Sequence, residues 1–171
     1  MTYFRNKNIL VTGAAGITGH ATVKRLLEEG AFVKAVVHKN RTLHVLKNKK
    51  LTIVQKDLLQ YDDCIDVCRD MDIVINLVAY IRGAKEQSYT PVDLVRNNVV
   101  PSINMMDAAV KSRIDRFGFV GSSTMYPDVS YPVREEEGFS GEPHRVYTGV
   151  GWMKRYCETV CKHFHEVTNT K

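Results

Sequence analysis

Three glycines at a spacing of three, in Thr12-Gly13-Ala14-Ala15-Gly16-Ile17-Thr18-Gly19, constrain this chain more than any other feature. The apolar run Asn8-Ile9-Leu10-Val11-Thr12 stands directly before them. Directly after them Ile17, Val23, Leu26 and Leu27 recur with helical spacing until Gly30 stops the helix. A strand therefore enters the turn and a helix leaves it. That order suits a tight turn at Gly13, a bare backbone at Gly16 and close helix-on-strand packing at Gly19.

The rest of the chain repeats the alternation. Ala31 to Val37 reads as a second strand, Leu43 to Leu46 as a short helix and Leu51 to Gln55 as a third strand. Gln60 to Arg69 reads as a helix, Ile73 to Leu77 as a fourth strand, Val92 to Ser112 as a long helix and Arg116 to Val120 as a fifth strand. A final helix is expected over Val150 to Val167. Near-continuous apolar strands alternating with helices imply a parallel sheet covered on both faces. Right-handed crossovers make it a doubly wound α/β sheet of order 3-2-1-4-5, a Rossmann fold, filling one domain over residues 1–171. With no further strand after the last helix, the fifth strand is expected to keep an open edge.

Composition matters chiefly for what it excludes. The 24 Lys+Arg against 19 Asp+Glu give +5, short of the basic tracts of a nucleic-acid binder. No apolar run approaches the ~20 residues of a membrane span, and the start lacks a signal peptide's apolar core. A cytoplasmic protein without nucleic-acid or membrane partners is the expectation. The cysteines fall as two i,i+4 pairs, Cys64/Cys68 and Cys157/Cys161, which suits reduced helix thiols better than a secreted disulfide framework. Cys157, Cys161, His163 and His165 could be assembled into a metal site on paper, but His163 and His165 point to different sides of a helix, so no metal is expected.

The glycine turn opening a helix is suited to a pyrophosphate. Backbone N–H groups at Ala15, Gly16 and Ile17 approach it closely, and the helix N-terminus adds positive potential. Dinucleotide sites of this kind carry an acidic residue about 20 positions on, which binds the adenosine ribose. Here that place holds His38-Lys39-Asn40-Arg41, inside a stretch from Gly30 to Lys56 with no carboxylate. Lys39 and Arg41 would attract a 2′-phosphate that a carboxylate would repel. NADP is the expected cofactor, NAD the alternative, and a solvated basic turn the bland explanation. Asp57-Leu58 stands where an adenine amino group could bind, or where an aspartate simply caps a turn.

These residues resemble the extended short-chain dehydrogenase/reductase superfamily, in its NAD(P)-dependent nucleotide-sugar epimerase/dehydratase family. The similarity runs from the glycine turn to Lys154-Arg155-Tyr156-Cys157-Glu158. Asn76-Leu77-Val78-Ala79 is similar to the motif beside the nicotinamide, and Asn98 matches the long-helix asparagine. Gly121-Ser122-Ser123-Thr124-Met125-Tyr126-Pro127 looks most like the segment found in GDP-fucose synthases. The resemblance implies hydride chemistry at C4 of a nucleoside-diphosphate hexose. Ser122 would orient the C4 oxygen, and Lys154 would bond the nicotinamide ribose and lower the pKa of a tyrosine acting as acid or base. It also implies a nucleotide-sugar substrate and a homodimer through the long helices. The substrate pocket in such enzymes is built largely by later segments, so C-terminal strands and a substrate domain are expected to be lacking.

Two positions depart from the pattern. Counting back four from Lys154 reaches Val150, where the family has its tyrosine. Tyr147 is the other candidate, but about 10 Å of helical rise separates it from Lys154. Thr124 stands where fucose synthases have the cysteine of C3/C5 epimerisation, and threonine is a poor acid or base. C4 epimerisation or 4-keto reduction is the chemistry left, impaired by Val150. A non-catalytic dinucleotide-binding or redox-sensing module that acts through a protein partner is the alternative.

Overall fold

The structure, a computed structural model, describes residues 3–38, 48–80 and 91–171. The segment expected to form a short helix at 43–46 lies outside them, as do Lys39 and Arg41. The described elements run β1 (Asn8–Thr12), α1 (Ile17–Glu28), β2 (Phe32–Val37), β3 (Leu51–Gln55), α2 (Tyr61–Cys68), β4 (Ile73–Asn76), α3 (Pro91–Lys111), β5 (Arg116–Phe119) and α4 (Thr148–Val167). All four strand pairings are parallel, and the order is β3-β2-β1-β4-β5. This is the doubly wound sheet that the alternation predicts.

Side-chain alternation divides the core between the two faces. Ile9 and Val11 of β1 and Val33, Ala35 and Val37 of β2 pack with Val23, Leu26 and Leu27 of α1. Leu10, Val36 and Val74 point the other way, onto Cys64, Val67 and Cys68 of α2 and Met105, Ala108 and Ala109 of α3. Burial pushes the thiols of Cys64 and Cys68 up to about 12, so both stay protonated packing groups. A third cluster, of Met106 with Met153 and Cys157, docks α4 on α3 and on Phe117 and Phe119 of β5.

Proline lies inside α3 at Pro101, where it removes one helical N–H. The neighbouring Ser102 hydroxyl donates to the Asn98 carbonyl at 2.8 Å, a side-chain bond within the same turn.

One expectation about the sheet changes. The outer edge of β5 is not left bare along its first residues. The chain turns back after α4, the Lys171 N–H donates to the Asp115 carbonyl at 2.9 Å, and the Phe117 N–H donates to the Lys171 carbonyl at 2.8 Å. That is the bonding pattern of a parallel neighbour. Buried Thr170 anchors it through its hydroxyl to the Ile114 carbonyl. A single paired residue is too short to leave a strand signal in the sequence.

Candidate functional site

The carboxyl ends of β1 and β4 meet at the glycine turn. Gly13 has φ +61°, and a Cβ there would lie 2.4 Å from the Leu77 carbonyl oxygen. A Cβ on Gly19 would lie 2.2 Å from the Gly13 carbonyl oxygen. Both positions are closed to any side chain. Gly16 differs: a Cβ there would meet only the Gly13 oxygen, at 3.2 Å, so the bare backbone faces open space. Gly16 is also the N-cap of α1, makes no side-chain cap, and precedes a first turn free of acidic residues. The N–H groups of that turn have no helical acceptor, and the helix dipole sums there. Ala15 is half-buried beside them, and Ile17, the first helical residue, is 95% exposed. A cradle of backbone donors with no side chain in it fits a diphosphate.

Thr12 fixes this cradle against β4. Its buried hydroxyl accepts the N–H groups of Leu77 and Val78 at 3.0 and 3.2 Å and donates to Asn76 Oδ1 at 2.6 Å. The loop Leu77-Val78-Ala79 thereby starts next to the glycine turn. Asn98, buried on α3, holds its far end. Its Oδ1 accepts the Tyr80 N–H, and its Nδ2 donates to the Tyr80 and Leu94 carbonyls. Asn98 thus bonds the backbone of this loop.

At the end of β2, His38 is exposed. After β3, Asp57 closes a turn: its Oδ1 accepts the Leu59 N–H at 3.1 Å, and its carbonyl accepts the Gln60 N–H at 2.8 Å. Asp57 is thus a turn-capping aspartate whose second carboxylate oxygen has no partner among the described residues. Asp63 of α2 accepts the Asp57 N–H at 2.9 Å and the Lys56 ammonium at 3.0 Å, and these bonds hold its carboxyl below the usual range. Leu58 is buried.

The second half of the site lies at the end of β5. Ser122 caps the short turn Ser123–Met125. Its Oγ accepts the Thr124 N–H at 3.2 Å and the Thr124 hydroxyl at 2.9 Å. Lys154 reaches from α4 to the Val120 carbonyl at 2.9 Å and lies 4.7 Å from the centre of the Phe119 ring. Burial pushes its ammonium below the usual lysine range, and the nearby Cys157 acts weakly the other way. The structure therefore brings Ser122 and Lys154 to the same strand end.

Val150 lies one turn before Lys154, half-buried against the apolar cluster between α3 and α4. Tyr147 does not share that helix. It is the N-cap of α4, ends the short turn Arg145–Tyr147, and its ring packs against His144 with centroids 5.7 Å apart.

Arg155 carried no expected role, yet it organises this half. Its buried guanidinium donates to the Met125 carbonyl through Nε and Nη2, to Ser140 through Nη2 and to Gly141 through Nη1, at 2.6–3.0 Å. Adjacent Lys154 and Arg155 thus grip the backbone on either side of Ser122. Asn104 was equally silent in sequence; it donates from α3 to the Leu58 and Leu59 carbonyls. An arginine beside the family lysine and a third asparagine on the asparagine-bearing helix were the available signals. Neither says which carbonyl it meets.

Among known proteins, the NAD dependent epimerase/dehydratase family matches residues 9–171. GDP-mannose 3,5-epimerase 1 of Oryza sativa subsp. indica is 29% identical over 168 residues, covering 91% of this chain and 42% of the relative. GDP-L-fucose synthase of Sinorhizobium fredii is 26% identical, covering 79% of this chain and 39% of the relative. A solved UDP-N-acetylglucosamine 4-epimerase from Methanobrevibacter ruminantium superposes with a TM-score of 0.81 at 26% identity, over 97% of this chain and 53% of that one. The chain thus spans about half, or less, of the length of these relatives.

Proposed function

The chain belongs to the NAD dependent epimerase/dehydratase family, and from that premise we propose that it is an NADP-binding nucleotide-sugar epimerase/reductase-like protein whose C4 chemistry is impaired at Val150. When bound, the nicotinamide supplies or takes a hydride at C4 of a nucleoside-diphosphate hexose. The cradle at Gly13, Gly16 and Gly19 holds the diphosphate, and the loop Leu77 to Ala79 borders the nicotinamide. Lys154 bonds the nicotinamide ribose. Ser122, held in place by the N–H and hydroxyl of Thr124, bonds the C4 oxygen. Because the Thr124 hydroxyl is committed to Ser122, it supports C4 redox chemistry better than proton transfer at C3 or C5.

The observation that carries the proposal is the joining of Ser122 and Lys154 at one strand end with an aliphatic side chain one turn before the lysine. A phenol at that place would complete the proton path; valine cannot. Val150→Tyr should raise sugar-dependent oxidation or reduction of the cofactor by about 10²–10⁴-fold, the usual worth of a positioned acid or base. Strong turnover by the wild type that is abolished in Tyr147→Phe would assign the role to Tyr147 instead. Equal or tighter binding of NAD would remove the NADP preference, which rests on Lys39 and Arg41.

The apolar packing of Val150 between α3 and α4 favours a second reading, a dinucleotide-binding module without turnover that reports cofactor state to a partner. Saturable cofactor binding with no sugar-dependent turnover, unchanged in Val150→Tyr, would support it.

A further inference from the structure

α3 carries two asparagines whose amides end on backbone rather than on other side chains. Asn98 holds Tyr80, in the loop after β4. Asn104, six residues on, sends Nδ2 to the Leu58 carbonyl at 3.1 Å and the Leu59 carbonyl at 3.3 Å, in the turn after β3. The two loops flank the glycine turn, so one helix sets the position of both.

The turn after β3 is held from every side but one. The Asp57 N–H goes to Asp63, the Leu59 N–H to Asp57 Oδ1 and the Gln60 N–H to the Asp57 carbonyl. Asn104 donates to the carbonyls of Leu58 and Leu59, and the Cys64 thiol also donates to Leu58 at 3.4 Å. Among the backbone groups of Asp57–Gln60 and the Asp57 carboxylate, the Leu58 N–H and one Asp57 oxygen are left without a partner among the described residues. A donor and an acceptor on successive residues match the acceptor N1 and the donor 6-amino group that adenine shows on one edge.

We propose that Asn104 is a positioning residue for the adenine end of the dinucleotide. By holding the two carbonyls that follow Asp57, it keeps the Leu58 N–H and the Asp57 carboxylate in register for adenine. This rests on the dinucleotide reading above. Asn104 touches the turn and not the ligand, so its loss acts on base selectivity more than on overall fold.

Hypoxanthine dinucleotide is the probe, because an oxo group replaces the 6-amino group and N1 becomes a donor, which reverses the edge. Titrations would compare adenine and hypoxanthine dinucleotides on the wild type, Asn104→Leu and Asn104→Ser, whose shorter hydroxyl does not span to the turn. The wild type should prefer adenine by about tenfold, the worth of a mismatched buried polar pair. Both variants should cut that preference to about twofold, with hypoxanthine affinity nearly unchanged. Serine keeps the proposal open to test if leucine upsets the helix. Variants that retain the full preference, or that lose affinity for both ligands equally, overturn the role of Asn104 alone. A wild type that binds neither dinucleotide overturns the underlying cofactor reading and this role with it.

Discussion

The two halves of the candidate site are built from different materials. At the ends of β1 and β4 the turn presents backbone, and side chains at Gly13 and Gly19 are shut out by contacts of 2.4 and 2.2 Å. At the end of β5, four side chains from two distant segments (Ser122 and Thr124, Lys154 and Arg155) assemble around one short turn. A backbone site tolerates drift in its neighbours because its donors belong to every residue type. A side-chain site depends on each identity, so a single substitution can change its chemistry while the fold stands.

Gly19→Val should give the largest effect. Its side chain would drive into the Gly13 carbonyl and the Ala14 Cα, so binding of NAD or NADP should fall by at least about a hundredfold by calorimetric titration, with overpacking of the helix start costing about 1–3 kcal/mol. Near-wild-type affinity would mean that the cradle is not the diphosphate site.

Arg155→Met should act on the other half. It leaves the carbonyls of Met125, Ser140 and Gly141 without their donors, which should cost about 3 kcal/mol in denaturant unfolding. Dinucleotide affinity should change by no more than about threefold, because the cradle shares none of these bonds. An affinity loss as steep as that of Gly19→Val would show that the two halves are a single unit.

Asp63→Asn should be the mildest, and its effect should depend on pH. The folded carboxyl is held below 3.8, first by the Asp57 N–H and then by Lys56, so its contribution is present above 3.8 and is lost as pH falls through the lower folded value. The variant should melt about 3 °C below the wild type at neutral pH, for about 1 kcal/mol, and the two curves should converge in acid. A gap that is constant with pH would mean that packing, not charge, holds the turn after β3.

Much of the backbone half was legible in the chain itself. Thr12 to Gly19 announces a strand, a turn and a helix because only glycine meets the steric demands of those positions, and the apolar alternation over Asn8 to Phe119 dictates the sheet. The side-chain half was legible as residue types but not as partners. Ser122 and Lys154 stood out by motif, whereas Arg155 and Asn104 looked like any polar residue, because a guanidinium or an amide gives no sign in sequence of the carbonyl it will meet.

Three outcomes belong to tertiary structure alone. α4 begins at Thr148 with Tyr147 as its N-cap, so Tyr147 does not share a helical face with Lys154. The start of the β5 edge receives Lys171. Ser122 and Thr124 are joined hydroxyl to hydroxyl at 2.9 Å at the end of β5. Local sequence determines period, turn chemistry and burial, which act over a few residues. Which groups end up within 3 Å across the ends of β1, β4 and β5 depends on how the helices α3 and α4 dock, and that docking is set by the whole apolar core.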